Sequence, residues 1–244
     1  MKQIILHVLC EGQTEAGFVN KVLKEYLRDF DIVVKHNILV TNRKKGVKGG
    51  LLSYRQAKID LELLIRQHSK RTSEVHFFTT MFDFYALPND FPGYTDAMKI
   101  HDCYGKIKKI EDKFAEDIKS CYFIPYIQLH EFEALVFCGL EVLLIDYPDM
   151  TKQITNLQKI VEKYDNNTEK IDDNPQTAPS KRIIKEFELF HHYDKPKSGL
   201  LVTNKVGIDG LKEKCPHFNE WIEKLENFIK YVKNTKENRA ENCL

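Results

Sequence analysis

The stretch VHFFTTMFD, residues 75–83, is a nearly continuous apolar run that ends on an acid. Runs of this kind are typical of strands buried on both faces, as in parallel sheets covered by helices. Ending such a strand with Asp83 costs stability unless the carboxylate finds a cation or hydrogen-bond donors. The stretch therefore predicts a central parallel strand that brings an acid to one edge of the sheet. The alternative is that Asp83 only caps the following turn.

Two other predicted strands are also followed by acids. Glu11 and Glu15 follow the first apolar run of the chain, and Glu131 and Glu133 follow the fourth. Open α/β sheets place their sites at the carboxyl ends of strands, so these side chains are expected at one shared edge. Carboxylates crowded together repel one another unless a divalent cation neutralises them. The pattern predicts a Mg²⁺ or Mn²⁺ site.

Length and composition indicate a globular protein. The chain has 244 residues, 42% of them hydrophobic, which is enough for one substantial α/β domain or for a core domain with a smaller appendage. Its 37 basic and 36 acidic residues give a net charge of +1, so no overall field draws it to nucleic acid or to an anionic membrane. No segment approaches the roughly 20 apolar residues of a membrane span, and Met1 leads directly into a short strand. We expect a cytoplasmic protein.

Cysteine and histidine spacing does not predict a zinc site. The six cysteines are widely scattered and form no Cys-x-x-Cys pair, and His191-His192 lacks the spacing of metal ligands. The expected state is six reduced, mostly buried thiols.

Strand and helix patterns alternate along the first half. Helices are predicted from Thr14 onward, over Ser53–His68 and over His101–Lys119, each between apolar runs that indicate strands. This order predicts an α/β fold with a mostly parallel sheet flanked by helices. Pro125 removes a ladder donor from the fourth strand, which predicts an edge position or a bulge.

The second half is predicted to be helical. The expected division is a core over residues 1–145 and a mainly helical extension, packed on that core, over residues 146–244. Helices are predicted over residues 151–164, 180–190 and, as a well-patterned amphipathic helix, 218–232. From Asn234 the polar tail is expected to fray.

The first acids lie at a strand-to-helix junction, Cys10-Glu11-Gly12-Gln13-Thr14-Glu15. Gly12 permits a tight turn, and Thr14 is a candidate helix cap. Glu11 projects from the strand end, and Glu15 lies one turn into the helix, facing the same crevice. The simpler interpretation of Glu15 is an N-terminal helix acid that the macrodipole favours.

The acids after the fourth strand are two residues apart and would not share a helical face. At most one of them is then expected to bind the metal, and Glu131 is favoured over Glu133. The neighbouring His130 is a candidate for orientation or proton transfer.

Several motifs together resemble a known family. An acid and glycine after the first strand, with an acid after the third, resemble the Toprim arrangement of topoisomerases, primases and overcoming-lysogenization-defect nucleases. A closer resemblance, over nearly the whole chain, is to the bacterial family known as domain of unknown function 4276. The motifs that carry it are Glu11-Gly12-Gln13-Thr14-Glu15, Thr80-Met81-Phe82-Asp83-Phe84-Tyr85, Asp90-Phe91-Pro92-Gly93, Ile127-Gln128-Leu129-His130-Glu131-Phe132-Glu133-Ala134-Leu135 and Ala178-Pro179-Ser180-Lys181-Arg182.

The resemblance implies a Toprim-like fold, a divalent metal and an ATPase partner in phage-defence settings. One departure stands out, because Toprim enzymes carry Asp-x-Asp after the third strand. Here Asp83 is followed by Phe84 and Tyr85. A standard two-metal site would need a replacement acid, either Asp90 or Glu131.

Basic residues fall in two places. Lys181 and Arg182 follow Pro179-Ser180 at a predicted helix start, which suits an anion. A glycine-rich loop carries four more cations, Arg43, Lys44, Lys45 and Lys48. All six are candidates for phosphate contact, and the alternative for each lysine is a solvated basic face.

The leading hypothesis is a Toprim-like, metal-dependent nuclease for DNA or RNA. Glu11 and Asp83 would hold the metal, Glu15 and Glu131 would complete the shell, and Lys181 would neutralise the phosphate. Glu11 is alternatively the general base. A second hypothesis is a non-catalytic subunit that senses nucleic acid or nucleotide for an ATPase, which the missing second Asp supports. A small-molecule phosphohydrolase is a third class, and it would not need the basic loop.

Overall fold

The centre of the structure is a five-stranded sheet whose described pairings are all parallel. The computed structural model describes residues 2–42, 47–68, 73–85, 87–171 and 177–241. Its strands are β1 (Gln3–Cys10), β2 (Ile32–Ile38), β3 (Val40–Asn42), β4 (Val47–Lys48), β5 (Glu74–Asp83), β6 (Phe123–Ile124) and β7 (Ile127–Gln128). The order is β2-β1-β5-β6, with β7 also paired to β5, while β3 and β4 form a separate antiparallel pair. The predicted α/β fold with a mostly parallel sheet is confirmed.

Strands β1 and β5 lie side by side at the centre and finish almost level. Cys10 at the end of β1 pairs with Met81, two residues before β5 ends at Asp83. Because parallel strands run in one direction, Glu11 and Asp83 emerge at the same edge. The prediction that the third apolar run ends its strand at Asp83 is confirmed.

The predicted fourth strand is broken at Pro125 into β6 and β7, both of which pair with β5. Thr80 bridges the gap: its hydroxyl accepts from the Tyr126 backbone N–H at 3.0 Å and lies 2.9 Å from the Tyr126 carbonyl. Proline has no N–H for the ladder, and it is tolerated here because this is an edge of the sheet. The edge position predicted from Pro125 is confirmed.

Helices cover both faces of the sheet. In chain order they are α1 (Gln13–Phe18), a π-helical turn (Val19–Leu23), α2 (Lys24–Arg28), α3 (Tyr54–His68), α4 (Tyr94–Ala97), α5 (Cys103–Ile118), α6 (Glu133–Val136), a 3₁₀ segment (Phe137–Ile145), α7 (Thr151–Lys163), a 3₁₀ turn (Thr168–Lys170), α8 (Pro179–Phe187), α9 (Lys195–Lys214) and α10 (Pro216–Glu241). None of the described helices is both long and apolar enough to cross a membrane.

The buried apolar side chains form two clusters, one on each face. Val8 of β1 belongs to a cluster with Leu23 and with Trp221 of α10, so helices of the second half pack on the first half. Phe82 of β5 belongs to the other cluster, which includes Phe114 of α5. The predicted boundary between residues 145 and 146 stays a prediction.

Three features of the helices differ from the predictions. Gly12, rather than Thr14, caps α1, because the Glu15 carboxylate reaches back to the Gly12 N–H as in a capping box. Helix α10 spans Pro216–Glu241 and is longer than the predicted helix over residues 218–232. Helix α9 was not predicted at all. Gly207, at φ +72°, interrupts it and obscures its pattern in the sequence.

Candidate metal centre

Glu11 and Asp83 lie next to each other, as the strand ends predict. The Asp83 backbone N–H donates to Glu11 Oε2 at 3.2 Å, and the Glu11 N–H donates to the Met81 carbonyl at 3.1 Å. Both acids are half-buried. Burial raises the pKa of the Glu11 carboxyl, while donation by the Asp83 and Leu51 amides opposes that rise.

Glu15 is buried beside them and caps its own helix. The Gly12 N–H donates to Glu15 Oε2 at 2.8 Å, so one carboxylate oxygen is engaged. Burial raises the pKa of Glu15 to about 7, and repulsion by Glu11 and Glu133 adds to the rise. The simpler interpretation of Glu15 as a capping acid and the metal-site interpretation therefore both have support in the geometry.

Asp83 experiences the charges of four other acids. Burial raises the pKa of its carboxyl well above the usual range, and the negative charges of Glu15, Glu11, Glu133 and Glu131 raise it further, in that order. Its Oδ1 is buried and has no hydrogen-bond partner among the described residues. We call these five acids the acidic crevice.

Glu131 is engaged by the start of α8. Its Oε1 accepts from the Ser180 backbone N–H at 2.5 Å, and its Oε2 accepts from the Ser180 hydroxyl at 3.0 Å. A helix N-terminus offers free N–H groups that a carboxylate satisfies. Both oxygens of Glu131, the acid favoured as a metal ligand, are thus hydrogen-bonded. The adjacent His130 is half-buried at φ +61°, and its carbonyl accepts from the Tyr85 N–H at 2.6 Å.

A lysine that the sequence did not single out enters the crevice. Lys195 Nζ, at the start of α9, lies 3.3 Å from Glu133 Oε1 and 3.7 Å from Glu131 Oε2. Burial raises the pKa of Glu133 although Lys195 opposes it. Asp194 before Lys195, with Pro196 after it, is a sequence signal for a helix start. Nothing in the sequence could place that start beside Glu133, which is 62 residues earlier.

Tyr193, which the sequence did not single out either, is close enough to Glu133 to be affected by its charge. Its side chain is buried, and its hydroxyl has no hydrogen-bond partner among the described residues. Burial raises the pKa of the phenol, and the charge of Glu133 adds to the rise.

The predicted basic residues are distributed differently. Lys181 is exposed on α8 directly after Ser180, whereas Arg182 Nε donates to the Thr177 carbonyl at 2.6 Å. Arg43, Lys44 and Lys45 lie outside the described residues, and of Lys48 only the backbone in β4 is described.

The end of the basic loop is anchored beside the acidic crevice. The Gly50 N–H donates to the Glu11 backbone carbonyl at 3.0 Å, and Gly50 adopts φ +81°, which suits glycine. The loop that carries four of the predicted phosphate contacts therefore ends next to Glu11.

The donor set of the acidic crevice suits a hard cation. All five groups offer carboxylate oxygens, the ligands that Mg²⁺ and Mn²⁺ prefer, and the unpartnered Asp83 Oδ1 is available as a ligand. In the described part of the chain, no three of these carboxylates bring oxygens within 4.8 Å of one another. The acids thus offer suitable ligand atoms for a divalent ion, but in the described residues three of them do not converge on one point.

The chain is similar to a known protein family and, distantly, to a solved structure. The family model described as "Domain of unknown function (DUF4276)" matches residues 10–226. No curated protein matches the chain. A solved structure, the C-terminal region of the OLD protein of Xanthomonas campestris pv. campestris, aligns over 94% of this chain and 97% of that chain at 15% identity, with a TM-score of 0.44. A similarity this distant carries no argument about fold or activity.

Proposed function

Because the chain belongs to the family described as Domain of unknown function (DUF4276), which names no activity, we propose a function from the acidic crevice itself. The proposal is a divalent-metal-dependent nuclease that hydrolyses phosphodiester bonds of DNA or RNA. The observation that carries it is Asp83 Oδ1, a buried oxygen without a hydrogen-bond partner among the described residues, on whose carboxyl the charges of four other acids act. Such an arrangement is costly in a metal-free protein and is relieved by a cation.

Glu11 and Asp83 would hold the Mg²⁺ or Mn²⁺, with Glu15 and Glu133 beside them. When bound, the ion would neutralise a phosphate oxygen and supply an acidified water. Glu15 Oε2 is engaged by Gly12, so Oε1 would be the oxygen that can accept a proton from that water. Glu131 then acts as a positioning residue that fixes the start of α8 through Ser180.

Cations around the acidic crevice would bind the phosphate backbone. Lys181 is exposed on the first turn of α8, and the loop that carries Arg43, Lys44, Lys45 and Lys48 ends beside Glu11. Arg182 is a weaker candidate because its Nε is engaged by its own helix start. His130 stays a candidate for proton transfer. A cytoplasmic location, an ATPase partner and a role in phage defence are parts of the proposal that rest on the family resemblance.

Two observations favour the second candidate, a subunit that senses nucleic acid or nucleotide for an ATPase without cutting it. Both oxygens of Glu131 are occupied by Ser180, and Lys195 already neutralises part of the charge of Glu133. No second acid follows Asp83 to replace them.

Cleavage of plasmid DNA, single-stranded DNA and RNA, with Mn²⁺ or Mg²⁺, tests the proposal. Asp83→Asn should lose nearly all turnover while substrate binding changes little, because the carboxylate acts in the transition state. Asp96→Asn is the control, since Asp96 is an exposed acid paired with Lys99. The assay also includes the proposed ATPase partner, encoded near this protein, and its nucleotide.

Melting temperature separates the two candidates from a mere structural cluster. Mg²⁺ or Mn²⁺ should raise it in the native chain by ligand linkage, and the rise should vanish in a Glu11→Gln, Asp83→Asn double variant. Equal cleavage by native and Asp83→Asn chains overturns the catalytic assignment. No metal-dependent shift in either chain overturns the metal site.

A further inference from the structure

Three histidines from three separate elements converge at a second place in the fold. They are His7 of β1, His76 of β5 and His68 at the end of α3, and each offers one ring nitrogen within 4.8 Å of the other two. His7 and His76 are buried, and His68 is partly exposed. His7 Nε2 lies 2.9 Å from His76 Nδ1. The rings of His68 and His76 are stacked, with centroids 4.6 Å apart. We call this group the histidine trio.

A carboxylate orients one of these rings. His76 Nε2 lies 3.0 Å from Glu74 Oε2, so an Nε2–H that donates to Glu74 leaves the lone pair of Nδ1 directed at His7. This pattern, in which a carboxylate holds the far nitrogen of a histidine, is the usual support of a metal-binding imidazole. In the neutral ring of His76, this contact places the hydrogen on Nε2 and leaves Nδ1 for a metal.

The histidine trio is separate from the acidic crevice. On β5, Asp83 lies seven positions after His76, roughly 23 Å away at the rise of an extended strand. The two groups also differ chemically. Imidazole nitrogens suit Zn²⁺ and its transition-metal neighbours, whereas the carboxylates of the acidic crevice suit Mg²⁺ or Mn²⁺.

We propose that the histidine trio binds Zn²⁺ through the three imidazoles, with water in the fourth position. Nitrogens bound at about 2.05 Å in a tetrahedral site lie about 3.3 Å apart, so His7 and His76 need to separate by only a few tenths of an ångström. The ion joins the end of α3 to the two central strands. Sequence spacing did not indicate this site, because its ligands are 61 and 8 residues apart along the chain.

Zinc binding by the purified, chelator-treated chain tests the proposal, with ZnCl₂ titrated in the presence of excess Mg²⁺. His68→Ala removes the most accessible ligand, and Glu74→Gln keeps every ligand but weakens the orientation of His76. Glu74→Gln should lower zinc affinity by roughly 10- to 100-fold, and His68→Ala by more. His36→Ala is the matched control, because His36 is an exposed histidine on the neighbouring strand β2 and is not part of the trio. It should bind zinc as the native chain does.

Cobalt(II) provides a second readout that does not depend on stability. CoCl₂ should give the strong visible absorption of a four-coordinate site in the native chain and in His36→Ala, and lose it in His68→Ala. Far-ultraviolet circular dichroism confirms that each variant is folded. If His68→Ala does not fold, the zinc affinity of Glu74→Gln and the cobalt spectrum of the native chain test whether the histidine trio binds metal.

Three results would overturn the proposal. They are no zinc binding by the native chain, equal affinity in all variants, and loss of binding in the Glu11→Gln, Asp83→Asn double variant but not in the trio variants. The first leaves a hydrogen-bonded, stacked group of histidines without a metal. The last assigns the zinc to the acidic crevice, and the nuclease proposal can still stand in that case.

Discussion

At the scale of single residues, the buried acids of the acidic crevice destabilise the fold when no cation is bound. Glu15 is buried, accepts one hydrogen bond from Gly12 and faces the charges of Glu11 and Glu133. A carboxyl in this setting keeps its proton to higher pH than it would in the unfolded chain. The metal-free protein should therefore show the cost as a dependence of stability on pH.

The first prediction concerns Glu15 in the metal-free protein. Its pKa rises from 4.5 in the unfolded chain to about 7 on folding. Between these values the folded state binds more protons than the unfolded state, so the free energy of unfolding falls as pH rises, by up to about 3 kcal/mol, and levels off above pH 7. Glu15→Gln keeps an acceptor for Gly12 but not the charge. The free energy of unfolding is measured with urea at pH 5 and pH 8, with a chelator present. Relative to the native chain, the variant should be more stable at pH 8 than at pH 5.

Glu25→Gln is the control for that measurement, because Glu25 is an exposed acid paired with Arg28 on α2. Its unfolding should follow the native pH profile. A Glu15→Gln chain that keeps the full native slope would show that Glu15 titrates as an ordinary carboxyl.

At the scale of elements, α9 positions Lys195 through close contact with its neighbours. Gly199, one turn after Lys195, lies so near Phe132 that a Cβ would approach Phe132 Cε1 to 2.9 Å. Phe132 is buried, and in the sequence it stands between Glu131 and Glu133. The absence of a side chain at Gly199 thus sets the distance between α9 and the segment that carries two of the acids.

The second prediction follows from this contact. Gly199→Ala should destabilise the fold by roughly 1–3 kcal/mol, because Phe132 is buried and must move, and it should also lower metal-induced stabilisation. Gly17→Ala is the matched control on α1, where the added Cβ would lie 3.9 Å from Leu200 Cδ2, an ordinary contact. It should be neutral or stabilising by up to about 1 kcal/mol, as alanine favours helix. Thermal melts of both variants with and without Mn²⁺ measure this, and equal stability would refute a tight contact.

At the scale of the whole molecule, charge is nearly balanced. The net charge of +1 gives no long-range attraction for a polyanion. Any nucleic acid must therefore be held by local cations against the repulsion of the acidic crevice. We propose that the loop that ends at Gly50, beside Glu11, supplies those cations.

The third prediction neutralises that loop. Changing Arg43, Lys44, Lys45 and Lys48 to Gln should weaken nucleic-acid binding and reduce its salt dependence, by about 0.9 in log–log slope for each duplex phosphate that the loop no longer neutralises. Metal-induced stabilisation should not change. Fluorescence anisotropy over a range of salt concentrations measures affinity and slope. The control neutralises four exposed lysines elsewhere, Lys152, Lys159, Lys163 and Lys224. Equal slopes in the two variants would assign the basic loop to solvent or to a protein partner.

The sequence by itself determined the central strands of the sheet and the common edge of two candidate site residues, Glu11 and Asp83. An apolar run that ends at Asp83 and another that leads to Glu11 suffice, because parallel strands bring their carboxyl ends to one edge. Pro125 likewise indicated the edge, since the missing N–H is a local property of the chain. Such features depend on residues close together in sequence, so their patterns can be read directly.

Only the tertiary structure decided which groups meet those acids. Ser180 occupies both oxygens of Glu131 from 49 residues away, and Lys195 reaches Glu133 from the start of a helix that the sequence pattern did not reveal. The histidine trio joins His7 to partners that follow it by 61 and 69 residues. These meetings follow from how α3, α8 and α9 pack on the sheet. Packing is set by the shape and burial of the whole core, which no local pattern encodes.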